Sequence, residues 1–125
     1  MTGVTLDAGA LVAFEKNDRR MVVALRVALD ALVPITIPSG VVGQVWRDGA
    51  HQARLARLLG SNGVVVEPLD DRRARAAGQL CGATGTKDVI DASVVLGARA
   101  RGDRIFTSDV NDLRRLDARV PLERV

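Results

Sequence analysis

The chain has 125 residues, 47% of them hydrophobic and 26% charged, enough for one domain with a single core. One cysteine (Cys81) and one histidine (His51) exclude an internal disulfide and a Cys/His zinc site. No apolar run approaches the roughly 18 residues of a membrane span, and no basic segment leading into an apolar stretch opens the chain, so the expectation is a cytoplasmic domain with no membrane partner.

Val4-Thr5-Leu6 is a short apolar run closed by Asp7 and reads as a buried strand. Residues 8–15 are compatible with a short helix. Residues 21–33 carry apolar side chains around much of a helix, with Arg26 and Asp30 at i,i+4, until Pro34 stops it. Ile35-Thr36-Ile37, between Pro34 and Pro38, is the second strand. Ser39 is placed to cap a helix through Val41, Val42, Val45 and Trp46, which Gly49 breaks; Trp46 is expected in the core, with a dimer or antitoxin groove as the alternative. Residues 51–59 form an amphipathic helix with Leu55, Leu58 and Leu59 on one side. Val64-Val65-Val66 is the third strand, and Asp70 or Asp71 opens a helix to about Cys81, a small buried hydrophobe. A connector rich in glycine and threonine follows over 82–86. Residues 88–100 form the longest helix, Arg104-Ile105-Phe106-Thr107 the fourth strand, and Ser108-Asp109 opens a last helix through Leu113 and Leu116. Val120 and Leu122 add a terminal edge strand. Short apolar strands alternating with helices predict an α/β fold: one domain over 1–125, three layers α/β/α, with a short central parallel sheet. Such sheets take ligands beyond the carboxyl ends of their strands.

The charges are unevenly chosen. Arginine supplies nearly all the positive charge, 16 residues against 2 lysines, yet the net charge is only +3, too modest a field to establish nucleic-acid binding. With only Phe14, Trp46 and Phe106 as aromatics, a base-stacking platform for single strands is not expected. Of the 15 acids, 12 are aspartates, and their positions carry the functional reading.

Asp7 stands directly after the first strand, Asp109 just after the fourth, and Asp88 and Asp91 open the long helix. A parallel α/β sheet brings these positions to one edge. Clustered carboxylates repel one another unless a cation sits among them, and hard divalent ions such as Mg²⁺ or Mn²⁺ suit oxygen ligands. Such ions activate water and stabilise charge on a phosphodiester under attack. Helix capping competes as an explanation: an N-cap role, about 1 kcal/mol, accounts for Asp88 on its own. Asp91 and Asp109 have the same alternative, whereas Asp7 has no evident helix to cap.

These residues resemble the PIN-domain nucleases of the VapC toxin type, over nearly the whole chain. The resemblance rests on Val4-Thr5-Leu6-Asp7-Ala8-Gly9-Ala10-Leu11, on Asp88-Val89-Ile90-Asp91-Ala92-Ser93, and on Ile105-Phe106-Thr107-Ser108-Asp109 followed by Asn111-Asp112-Leu113. It matches Asp7, Asp91 and Asp109 to the family's acids. It implies a Mg²⁺- or Mn²⁺-dependent endoribonuclease acting on RNA, a homodimer held inactive by a cognate antitoxin. Gln44 stands where the family usually carries a glutamate, and an amide coordinates or orients water without supplying charge. Asp88, one turn before Asp91, is the first candidate to replace that acid, and Asp112 the second. In this reading Asp7, Asp91 and Asp109 hold the metal. The Thr107 and Ser108 hydroxyls orient Asp109 or a water, or serve only as strand-end and capping groups, and Gln44 contacts water or the scissile phosphate.

Arg47, His51 and Arg54 fall at i, i+4 and i+7 and form a basic stripe for RNA or an antitoxin if the helix continues through Gly49; otherwise they belong to solvated surface. No nucleophile pairs with His51. Arg72, Arg73 and Arg75 read as a surface charge run. A receiver-like fold also collects aspartates at strand ends, but Glu67-Pro68 follows the third strand and Lys16 and Lys87 are misplaced for it. The serious alternative is a catalytically weakened module that binds RNA or an antitoxin without cleaving, because of Gln44.

Overall fold

The structure, a computed structural model, describes residues 2–125. Five strands, β1 (Val4–Leu6), β2 (Ile35–Pro38), β3 (Val64–Glu67), β4 (Arg104–Thr107) and β5 (Leu122–Arg124), pair in parallel in the order β3-β2-β1-β4-β5. Helices α1 (Ala8–Glu15) and α2 (Arg19–Asp30) connect β1 to β2, and α3 (Ser39–Val45) and α4 (Ala53–Leu59) connect β2 to β3. Helices α5 (Asp71–Thr84) and α6 (Val89–Arg101) lead to β4, and α7 (Val110–Leu116) leads to β5. Right-handed crossovers put α1 to α4 on one face and α5 to α7 on the other. Accordingly α1 packs on α2, α3 and α4, while α6 packs on α5 and α7 and lies across β1, β2 and β4. The three-layer parallel architecture expected from the alternation of elements is the one observed. Among the described residues no helix is long and apolar enough to cross a membrane.

The inner strands are covered on both faces, so Leu6, Ile35, Ile37 and Ile105 lose all contact with solvent. Leu11, Met21, Leu25 and Leu55 fill one side, and Val94, Val95, Ala98 and Leu113 the other. Strand β3 is different: as an edge strand it leaves Val65 59% exposed. Helix α2 starts earlier than its apolar pattern, because the Asp18 side chain caps it through the Met21 N–H. Helix α5 runs on to Thr84, shortening the connector, and Gly85 ends it in the left-handed region.

Two expectations about α3 fail. Ser39 does not cap it; its Oγ accepts from the Leu69 N–H at 2.9 Å instead, tying the β2 exit to the β3 exit. The helix also stops before Gly49: it ends at Val45, and Trp46 is already extended and 37% exposed rather than in the core. A 3-10 turn over Gly49–His51 then precedes α4.

A polar network, buried at Thr5 and Asp103 and partly exposed at Glu67, Arg73 and Arg101, has no counterpart in the sequence pattern. The Thr5 hydroxyl donates to Asp103 Oδ2 at 2.8 Å and accepts from Arg101 Nη2 at 2.9 Å. Arg101 also donates through Nε to Asp103 at 2.9 Å and through Nη1 to Glu67, which accepts from Arg73 at 3.0 Å. Gly97 makes room for it, since a Cβ there would lie 2.5 Å from Glu67 Oε1.

The strand order reverses between β1 and β4: from β1 the chain winds outward through β2 to β3, and β4 and β5 are added on the other side. The crevice at the carboxyl ends of such a switch point is where ligands sit in open α/β sheets. Asp7 and Ser108 flank it.

Candidate metal centre

A cavity of about 350 Å³ opens at this point. Asp7 enters it from the end of β1, Gln44 and Arg47 from α3 and its exit, and Asp88 and Asp91 from the start of α6. Ser108, Asp109 and Asp112 enter it from the end of β4 and from α7. All three acids matched by resemblance, both candidate substitutes and Gln44 therefore line one pocket. Its closeness depends on Gly9: a Cβ there would sit 1.9 Å from Ser108 Oγ, so only glycine lets the β4–α7 turn settle on the first turn of α1.

Capping turns out to be realised at three of the acids. Asp7 is the N-cap of α1 and its Oδ1 accepts from the Ala10 N–H at 2.9 Å, so the expectation that it had no helix to cap is wrong. Asp88 caps α6 through the Asp91 N–H at 2.9 Å, and Asp109 caps α7 through the Asp112 N–H at 3.4 Å. Each of these caps engages Oδ1. Because a carboxylate has two oxygens with several acceptor sites, capping and ligation are compatible. The Thr107 side chain is fully buried, and its Oγ1 accepts from the Asp109 N–H at 2.8 Å, fixing the turn that carries Asp109.

The electrostatics follow from this crowding. Burial pushes the Asp7 carboxyl above its ordinary value; the Thr107 side chain and the Ala10 N–H pull it back, and the Asp109 charge pushes it up again. Burial, then the charges of Asp88, Asp7, Asp112 and Asp109, push Asp91 up to about 7. Asp112 is raised by its hydrogen bond to Asp109 and by that residue's charge, with Arg115 opposing. Hard oxygen donors destabilised by one another fit a divalent cation. Among the described residues, though, no three acidic, His or Cys side chains are closed around one point. The donor set suits a metal, and the arrangement is an open one.

Other expected contacts are not brought here. With α3 ended at Val45, Arg47, His51 and Arg54 do not share a helix face. Arg47 reaches the pocket, its Nη1 donating to the carbonyls of Gly43 (3.1 Å) and Trp46 (2.7 Å). His51 pairs instead with Asp48 at 2.7 Å. Arg54 donates to Asn17 at 2.7 Å and lines a separate groove with Arg26 and Arg57. In the arginine run, Arg73 joins the Glu67 network and Arg75 pairs with Asp71.

No protein-family model matches the sequence, and no curated protein matches it at a significant level. Solved structures do match. A chain of the VapBC2 complex of Rickettsia felis, bound to a DNA fragment of its promoter, is 16% identical with a TM-score of 0.74, covering 98% of each chain. A chain of DNA-bound VapBC from Salmonella typhimurium is 19% identical with a TM-score of 0.72, over 99% of this chain and 98% of that one. VapC20 of Mycobacterium tuberculosis, described as a Sarcin-Ricin loop cleaving toxin, is 18% identical with a TM-score of 0.66, over 86% of this chain and 92% of that one. At these identities the likeness is one of fold.

Proposed function

We propose that this protein, which has the PIN-type fold, is a metal-dependent endoribonuclease and the toxin component of a toxin–antitoxin pair. The observation that carries the reading is the convergence of Asp7, Asp88, Asp91, Asp109 and Asp112 on one pocket at the switch point of the sheet, with Asp91 held at about 7. The fold likeness to a toxin described as cleaving the Sarcin-Ricin loop supports RNA as substrate, and the likeness to VapBC complexes supports an antitoxin partner. A second copy of the chain is the proposed assembly.

Asp7, Asp91 and Asp109 would hold Mg²⁺ or Mn²⁺, with Asp88 or Asp112 supplying the charge that Gln44 lacks. A bound divalent ion supplies Lewis-acid polarisation of the phosphodiester and lowers the pKa of an attacking water. The Gln44 amide orients that water or the scissile phosphate, Thr107 keeps Asp109 in register, and Ser108 offers a further hydroxyl at the pocket wall. Purified protein incubated with RNA in Mg²⁺, Mn²⁺ and EDTA arms tests this. Cleavage is expected with either metal and is lost in EDTA and in Asp91→Ala. Cleavage that survives EDTA, or an Asp7→Asn variant with unchanged metal dependence, overturns it.

Gln44 at the pocket wall favours one other reading, a module that binds RNA or an antitoxin without cutting. That reading predicts binding with no metal-stimulated cleavage, and a gain of cleavage in Gln44→Glu.

A further inference from the structure

We propose that the acidic pocket continues into a phosphate-binding lobe formed by Lys87 and Arg115, so that RNA crosses the acids gripped by these cations in one cavity and by Arg47 in the other. The proposal rests on the ribonuclease reading.

A second depression of about 330 Å³ adjoins the acidic pocket. Asp88, Asp91 and Asp112 line both cavities and so form the saddle between them. Lys87 and Arg115 line only the second cavity, and Arg47 only the first. The cations thus stand in two different cavities that share these three acids. Lys87 immediately precedes the Asp88 cap, and Arg115 follows Asp112 by three residues on the same face of α7.

Five carboxylates stand within this region, yet among the described residues neither Lys87, Arg115 nor Arg47 has an acidic partner within 4.0 Å. Arg73, Arg75, Arg99, Arg101 and Arg104, by contrast, are all committed to ion pairs. The three cations are exposed, and Arg47 is tethered to two backbone carbonyls that leave part of its guanidinium fork free. Cations beside acids but not spent on them are available to an incoming anion.

An anionic backbone needs such flanks. One divalent ion offsets only part of the charge of this pocket, and the remainder repels the phosphates on either side of the scissile bond. Cations in both cavities offset that repulsion and fix the register of the strand. With none of the three aromatic residues lining either cavity, the grip is ionic, salt-dependent and indifferent to base identity. An acidic peptide would meet the same repulsion with no bond to present at the acids, which favours RNA.

Fluorescence anisotropy of a labelled single-stranded RNA oligonucleotide, titrated in EDTA across a series of salt concentrations, tests the lobe without cleavage. Lys87→Ala, Arg115→Ala and Arg47→Ala are each expected to flatten the slope of log affinity against log salt by about 0.7. The loss is expected to be equal for oligonucleotides of different sequence. Arg72→Ala, an exposed arginine of α5 outside both cavities, is expected to keep the slope, and thermal melts of each variant exclude unfolding as the cause. Wild-type cleavage in Mn²⁺ is measured alongside. If wild type cleaves RNA while the Lys87 and Arg115 variants keep the full slope, the lobe is refuted and the ribonuclease reading stands. If they keep the slope but lose binding to an acidic peptide, the cations serve a protein partner and the proposal is equally overturned. If wild type neither binds nor cleaves, both readings fall.

Discussion

Asp91 carries the largest displaced carboxyl of the pocket, up from an ordinary 3.8 to about 7. Between those values the folded protein holds a proton that the unfolded chain releases, so stability is greatest below about pH 4 as far as this group is concerned. It falls as pH rises towards 7. The side chain is half-buried, and after discounting for solvent screening the cost at neutral pH is on the order of 1 kcal/mol or more. Asp91→Asn is therefore expected to raise the melting temperature in EDTA at pH 8 by several degrees and to leave it nearly unchanged at pH 4. Mn²⁺ is expected to stabilise wild type at pH 8 and to lose that effect in the variant. A variant that melts lower than wild type at pH 8 would show that Asp91 is structural. The acids were legible because each sits within a residue or two of a strand end or helix start, where spacing is nearly deterministic. Lys87 and Arg115 were not, because nothing local separates a cation at a cavity wall from one in solvent.

At the level of elements, the site is an agreement between the first turn of α1 and the turn from β4 into α7, and Gly9 is where they meet. Gly9→Ala drives a methyl into Ser108 Oγ; overpacking of this kind costs typically about 1–3 kcal/mol. Thermal melts are expected to show that loss, and metal-stimulated cleavage is expected to fall further than the stability change explains, because Asp109 is carried away from Asp7. Unchanged cleavage would show that the two turns are not coupled. The basic stripe over Arg47, His51 and Arg54 depended on a helix continuing through Gly49, and that condition is not met, since α3 ends at Val45. Its spacing is helical, but the Gln52 Oε1 accepts from the Arg47 and Asp48 N–H groups at 2.8 and 2.9 Å. The Asp48 side chain then accepts from Ala50. Side chains satisfying backbone donors in this way compete with a helix, and periodicity does not register them.

Over the whole molecule, the fold was legible because short apolar strands and Gly/Pro punctuation alternate with amphipathic segments. What stayed hidden was the Thr5–Asp103–Arg101–Glu67–Arg73 network, whose members lie up to 98 residues apart. Asp103 is 4% exposed and accepts from both Thr5 and Arg101. Removing Asp103 leaves the buried Thr5 hydroxyl and one Arg101 donor without their acceptor while Arg101 keeps Glu67, at about 1–3 kcal/mol. Asp103→Ala is expected to lose that much in urea denaturation with an unchanged dependence on urea concentration. A loss under about 1 kcal/mol would mean that Arg101 finds water instead.

The strand order has a temporal consequence. Asp7 leaves a ribosome before Gln44, Asp88 and Asp91, and the wall carrying Ser108, Asp109 and Asp112 follows after all of them. Strand β4 then has to find β1 across everything made in between, and that pairing is the most distant in sequence within the sheet. Until it forms, the nascent protein owns its acids without owning a pocket. Synthesis itself therefore imposes a lag before these acids can share one pocket.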